Sequence, residues 1–355
     1  MSGLVKKINW MTLIIPVVSV ILGLLSGAVI MLATGYDPLL AYQSIIDSIF
    51  LQPYYAGEMI RAMIPLVLSG LAVAFAFRTG LFNIGVEGQL MAGWLASVAC
   101  AIELAGLPKI VLLPLSIIAG AVAGGLWGWL PGLLKAKFKV HEVISTIMMN
   151  YIALYSTAYI IKNFLYVEGE RTPTIPKSAS LASPFLANLT QGSRLHWGFI
   201  VAILAVVAMW LILWKTTKGY ELRAVGFSPD ASRYAGMNVG RAIILSMTVS
   251  GIFSGLAGAM EGLGTYQYMM INSTFTNIGF NGIAVALLGM NTPIGVVFAG
   301  ALFSGLQTGG LTMQSVAGVP VELIQVVIAL IIFFVGSSYV IKWAWLRMAE
   351  RRQHQ

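Results

Sequence analysis

Trp197 to Trp214 is a run of eighteen residues without one charge. A bilayer core about 30 Å thick takes roughly 20 apolar residues of helix. Lipid hydrogen-bonds no backbone, so only helices or closed barrels cross it. Comparable runs recur at 11–33, 59–77, 84–104, 110–134, 143–164, 197–214, 242–262, 279–291, 293–312 and 321–341. The expected fold is therefore all-α and polytopic, with about ten transmembrane helices in one domain over 1–355. Composition agrees: 58% of the residues are hydrophobic and 10% charged, against about a quarter charged in soluble domains. The eighth run is short, and Asn291-Thr292-Pro293 divides it from the ninth. Proline turns its predecessor away from helix, so these two runs form either a tight hairpin or a re-entrant pair. The first run follows Lys6 and Lys7 but is too long for a cleaved leader, and reads as an uncleaved anchor.

Basic residues set the orientation. With ten spans both termini share a side, and the loops there hold 15 of the 21 Lys and Arg, including Arg78, Lys135, Lys215, Arg223, Arg233 and Lys342. That side is expected to be cytoplasmic. The net charge of +8 is then a topology signal, and no basic nucleic-acid patch is present. Two connecting segments are long: an outer one at 165–196 and a basic inner one at 215–241.

Asn-Ile-Gly-x-x-Gly occurs at 83–88 and at 277–282. Each copy follows the second span of a five-span half, the halves being about 10–165 and 197–342. An offset of five spans inverts one half against the other. It puts the first copy on the cytoplasmic face and the second on the outer face. Inverted halves place a substrate path at their interface. Asn and Gly also suit helix entry, so the copies are expected as caps, as pathway lining, or as both. The pathway candidates are Asn83, Glu87, Gln89, Asn150 and Asn281. Glu87 in the first copy is replaced by Asn281 in the second.

Gly120, Gly124, Gly128 and Gly132 line one face of the fourth span, and Gly251/Gly255 and Gly258/Gly262 lie on the seventh. Such faces let helices approach closely in lipid. Glu87, Glu142, Glu261 and Glu322 fall near span ends, leaving neutral groups such as Asn150, Ser250, Ser254, Ser304 and Gln307 at mid-depth. Intramembrane ionisable groups mark proton relays and charged-substrate paths. Their scarcity favours a neutral polar solute over ion-coupled transport. Glu142 is expected to sit on a helix N-terminus, where an anion is favoured. Cys100 is alone, and His141, His196 and His354 are scattered, so neither a metal site nor a catalytic cluster is expected.

In the inner segment, Ser228 is a good N-cap, Pro229 suits the first helical position and Asp230 complements the dipole. Gly236 is a natural stop. The spacing predicts a two-turn helix over 229–235 with Ala231, Tyr234 and Ala235 on one face. So short a helix needs a partner surface, either an ATPase subunit or lipid headgroups. No Gly-x-x-x-x-Gly-Lys-[Ser/Thr] phosphate loop occurs, so any ATP that drives transport is bound by another polypeptide.

Phe77-Arg78-Thr79-Gly80-Leu81-Phe82-Asn83-Ile84-Gly85-Val86-Glu87-Gly88-Gln89 resembles the signature of the branched-chain amino acid and sugar class of ABC importer permeases. Residues 141–151, 221–226 and 282–289 are similar to the nucleoside (guanosine-type) permeases within that class; simple-sugar permeases share the architecture. The resemblance covers about residues 10–342. It implies a non-catalytic subunit moving nucleosides by alternating access across a bacterial plasma membrane. The implied partners are a second, related permease, an ATPase with two fused nucleotide-binding halves carrying ATP and Mg, and an extracytoplasmic substrate-binding lipoprotein. The chain itself would bind no cofactor. Glu221, Arg223, Ser228, Asp230, Ala231, Tyr234 and Gly236 would couple to the ATPase, and loop 165–196 would receive the binding protein or act as a lid.

Overall fold

The computed structural model describes residues 2–165 and 169–337, with side chains from Ile14 onward. Glu168, Lys342, Arg347, Arg351, Arg352, His354 and the end of the tenth run lie outside the described residues, as do the side chains of Lys6 and Lys7. The chain forms α1 (Ser2–Ala33), α2 (Pro38–Leu51), α3 (Pro53–Arg78), α4 (Val86–Glu103), α5 (Lys109–Phe138), α6 (Glu142–Phe164) and α7 (Pro184–Leu189). There follow α8 (Gly198–Lys215), α9 (Thr217–Phe227), α10 (Pro229–Tyr234), α11 (Val239–Met260), α12 (Ile278–Leu288), α13 (Pro293–Ala317) and α14 (Val321–Gly336). The described residues hold no strand, only isolated bridges joining Arg171 to Met270 and Ala182 to His196.

Seven of these helices are long and apolar enough to cross a membrane: α1 from Ile14, α3, α5, α6, α8, α11 with its following turn, and α13. The other three expected spans differ for identifiable reasons. α4 has 18 residues and carries Glu87, Gln89 and Glu103. α14 is described over 16 residues. α12 has 11 residues, about 16 Å of helix, half the thickness of a bilayer core.

Helix α2 has no counterpart among the expected runs. It starts where Asp37 Oδ1 accepts from Leu39 N at 2.9 Å and Pro38 occupies the first turn, a start signal overlooked beneath weak hydrophobicity. Gln52 interrupts α2 and α3 in an extended conformation, and Pro53 opens the next helix.

The glycine faces do what close packing requires. A Cβ on Gly124 would lie 2.5 Å from Gly255 Cα, one on Gly128 2.5 Å from Met247 O, and one on Gly132 2.9 Å from Met247 Cβ. α5 and α11 therefore touch backbone to backbone. Around this pair the packing is reciprocal: α11 lies on α4 and α5, while α3 lies on α12 and α13.

The two Asn-Ile-Gly copies are not separated by the membrane. Glu87 Oε2, in the first, accepts from Gly279 N, in the second, at 2.7 Å. Span counting placed each copy at the nearest bilayer face because it treated every run as a full crossing. The α12 helix alone is too short to be one. From this meeting point α4 and α12 diverge. Along α4, Trp94 Nε1 donates to Tyr268 O at 3.0 Å. Along α12, Gly282 abuts Ser69, and the following Asn291 O accepts from Arg78 Nε at 2.8 Å. Arg78 closes α3, whereas Trp94 shares a cavity with Arg61 near its start. The two helices therefore begin together and run toward opposite ends of α3.

Candidate translocation chamber and coupling surface

Glu87 is fully buried in the first turn of α4. Its carboxylate accepts from Thr276 Oγ1 at 2.6 Å, Asn277 N at 3.0 Å and Gly279 N at 2.7 Å. It thus caps α12 from another helix, which explains why Asn277 makes no side-chain cap bond of its own. Asn277 sits at φ 64°, a left-handed conformation that Asn tolerates better than most residues. An anion at a helix N-terminus also meets the positive end of the dipole. Gly279 leaves no room for a side chain: a Cβ there would lie 2.5 Å from Glu87 N.

The other first-copy polar groups face the protein. Asn83 Nδ2 donates to Gln89 Oε1 at 3.0 Å and to Ser250 Oγ at 2.8 Å, while its Oδ1 accepts from Gly85 N at 2.9 Å. Asn150 Oδ1 accepts from Gly88 N at 2.8 Å and its Nδ2 donates to Ile84 O at 3.0 Å. Ser250 donates to Ala72 O and Ser254 to Val86 O. Asn83, Asn150 and Ser254 thus satisfy the broken backbone between α3 and α4, as non-helical chain at membrane depth demands.

A cavity of about 700 Å³ opens beside this junction, within the roughly 300–1,000 Å³ range of small-molecule sites. Thr276, Asn277 and Asn281 line one part of it, with Gln307 of α13 and Gln325 of α14. Arg61, Trp94, Glu261 and Tyr266 line another. The Trp94 and Tyr266 rings stack with centroids 5.4 Å apart and planes 22° from parallel. Of the five sequence-selected pathway residues, Asn281 alone is among the lining residues. Asn83, Glu87, Gln89 and Asn150 lie behind the wall, and Glu87 reaches it through Thr276 and Asn277.

A polar cluster adjoins the Glu261 part of the cavity. Glu58 accepts from Arg61 Nε at 2.7 Å and from Arg194 N at 2.7 Å. His196, assigned no role from sequence, is fully buried. Its Nδ1 accepts from Gly198 N at 3.1 Å, so the neutral ring carries its proton on Nε2, 3.4 Å from Thr265 Oγ1. Thr265 donates to Glu261 Oε1 at 3.1 Å. Burial, more than the neighbouring Arg61, pushes the His196 imidazole down from 6.5 to about 4.

At the opposite end of α3 the expected short helix is present as α10. Ser228 caps it through Ala231 N at 3.3 Å, Asp230 lies in its first turn, and Gly236 ends it at φ 82°. Ala231 and Tyr234 are exposed, Tyr234 at 95%. The preceding α9 was not foreseen. It carries Glu221, paired with Lys218 at 2.9 Å, and Arg223, whose guanidinium lies 5.9 Å from the Trp214 ring centroid. A groove of about 390 Å³ runs between Tyr220, Arg223, Phe227, Ala231 and Ala235. Gly226 of α9 has no space for a side chain because Arg78 O abuts it.

The family model described as the branched-chain amino acid transport system / permease component matches residues 55–336. The chain belongs to that permease family. It is 55% identical over 348 residues to the guanosine ABC transporter permease protein NupP of Bacillus subtilis, covering 98% of this chain and 99% of that one. It is 42% identical over 335 residues to the nucleoside ABC transporter permease protein NupB of Lactococcus lactis, covering 93% and 92%. A third relative, the guanosine ABC transporter permease protein NupQ of Bacillus subtilis, is 30% identical over 253 residues, covering 68% and 76%. No solved structure matches the chain.

The permease is thus a multi-pass plasma-membrane protein. Its described residues contain no grouping of His, Cys, Asp and Glu able to hold a metal. The family signature, 77–89, runs from the end of α3 through the capping carboxylate of Glu87 to Gln89 in the first turn of α4. Sequence reasoning missed Trp94, Glu261, Tyr266 and His196, which lack a local motif and converge only in three dimensions. It placed Glu142 correctly in the first turn of α6, where Lys135 Nζ pairs with it at 2.5 Å.

Proposed function

We propose that this permease is the non-catalytic membrane subunit of an ATP-driven nucleoside importer. The observation that carries the reading is the near end-to-end identity with guanosine and nucleoside permeases. A polar-walled chamber of small-molecule size supports it. The fold is read as two inverted five-helix halves of about ten spans with cytoplasmic termini. The reciprocal packing of α3 and α11, and the divergence of α4 and α12 from one point, support the inversion.

In this reading α9 and α10 dock on the ATPase through Tyr234 and Ala231. Glu221, Arg223, Ser228, Asp230 and Gly236 hold that surface in shape. Motion passes through the backbone contact of Gly226 with residues 78–80 to the first motif, and through Glu87 to α12. Asn83, Glu87, Gln89 and Asn150 position the pathway wall, and Asn281 faces the solute. ATP and Mg act on the partner ATPase, and the chain binds no cofactor. The existence of NupP and NupQ in one organism supports pairing with a related but different permease. An extracytoplasmic lipoprotein delivers the solute to the segment 165–196.

The test is uptake of labelled nucleosides and pentoses by cells with and without the gene. Nucleoside uptake falls on deletion and returns on complementation. Loss of pentose uptake alone would assign the chamber to sugars.

A further inference from the structure

We infer that the chamber is a ribonucleoside-selective transit site, with Glu261 accepting hydrogen bonds from the ribose hydroxyls and Tyr266 supporting the base. The inference deepens the nucleoside-importer reading and rests on it. Three observations converge. First, Glu261 is only 2% exposed yet lines the cavity. Its Oε1 holds Thr265, while Oε2 has no hydrogen-bond partner among the described residues. That oxygen is not sealed from solvent, so a hydroxyl of a solute in the cavity can reach it and donate to it. Second, residues 261–265 form a π-turn at the end of α11, a rare distortion that recurs at functional sites. It places Glu261 and Tyr266 together at the chamber wall.

Third, the chamber's chemistry is divided. Aromatic Trp94 and Tyr266 lie with Arg61 and Glu261, while the Asn281, Gln307 and Gln325 amides supply both donors and acceptors. Aromatic faces take up heterocycles with little regard to base identity, and amides pair with base edges of varied pattern. A carboxylate reads a ribose diol because it accepts from both hydroxyls. The stacked rings and the amide-bearing part of the wall together suit a nucleoside.

The experiment uses the whole assembly in proteoliposomes, with the binding protein saturated by ligand so that its own selection is equalised. Uptake of guanosine is compared with that of its 2′,3′-dideoxy analogue in wild type, E261Q and E261A. Copurification of both permeases with the ATPase confirms that each variant assembles. We expect E261A to lower guanosine uptake about tenfold, the loss of a charge-assisted hydrogen bond, with E261Q intermediate because one acceptor remains. Dideoxyguanosine uptake changes less than about twofold, since no diol is present to lose its partner. Equal losses for both solutes would make Glu261 a structural residue and overturn the inference. So would unchanged guanosine uptake in E261A. A wild-type assembly that moves neither solute would overturn the importer reading as well.

Discussion

Glu87→Ala removes the carboxylate on which the two Asn-Ile-Gly copies meet. The side chain accepts from two backbone N–H groups, Asn277 and Gly279, and from the Thr276 hydroxyl. Thr276 faces the chamber, where water can replace its partner. The two N–H groups cannot turn away, because they open α12. Gly279 is buried, so orphaning its N–H costs about 1–3 kcal/mol, while Asn277 is exposed and lines the chamber, so water can reach its N–H. Interhelical hydrogen bonds in membrane proteins average only about 0.6 kcal/mol, which keeps the expectation to about 2 kcal/mol. Glu87→Gln keeps an acceptor and loses the charge–dipole attraction, about 0.3–1 kcal/mol. The assay is thermal unfolding of the detergent-purified permease complex, paired with chymotrypsin cleavage between Tyr266 and Phe275. E87A should lower the apparent melting temperature by about 3 °C and expose that segment to cleavage, with E87Q showing a smaller shift. An E87A variant with unchanged melting and cleavage would refute the cross-motif cap.

Three further outcomes follow from the same structure. Gly124→Val drives a branched side chain into the Gly251–Gly255 backbone and should abolish assembly, seen as loss of the permease from purified membranes, whereas Gly35→Ala, with open space around it, should cost only about 1–2 kcal/mol, all of it from its φ of 85°. Ala231→Arg and Tyr234→Ala should uncouple ATP hydrolysis from uptake with insertion intact; uptake at wild-type level in both would remove α10 from the coupling role. His196 is neutral when folded and protonates near pH 4, against 6.5 when unfolded, so the unfolded chain binds the extra proton between these values. Its stabilising contribution is complete above pH 6.5 and is lost as pH falls toward 4, by about 3 kcal/mol at the limit; His196→Gln should flatten that slope in a melting-temperature series.

The helical class, most helix positions and the α10 cap were legible because each is local. An apolar run, a Ser-Pro-Asp start and a Gly stop need no tertiary information. The mutual position of the two motifs was not legible. Span counting assigns each residue to the nearest bilayer face, and a half-length helix defeats it. α12 differs from its neighbours only in ending at Gly289, eleven residues after it starts. The chamber was half legible. Asn281 was singled out where symmetry broke, yet its exchange partner Glu87 turned out to cap α12 rather than face the solute. In sequence Glu261 looked like a span-end residue and His196 like one of three scattered histidines. Only the π-turn and the buried hydrogen-bond chain through Thr265 reveal them. α9 escaped because its buried Leu222 and Val225 sit among polar residues that resemble a plain loop.

The most direct measurement is ATP-dependent accumulation of labelled guanosine in proteoliposomes holding this permease, a second permease, the ATPase and the binding protein. Accumulation that requires all four, with no ATP turnover by the permease alone, is the predicted result. Accumulation without this chain, or ATP turnover by it in isolation, would contradict the account.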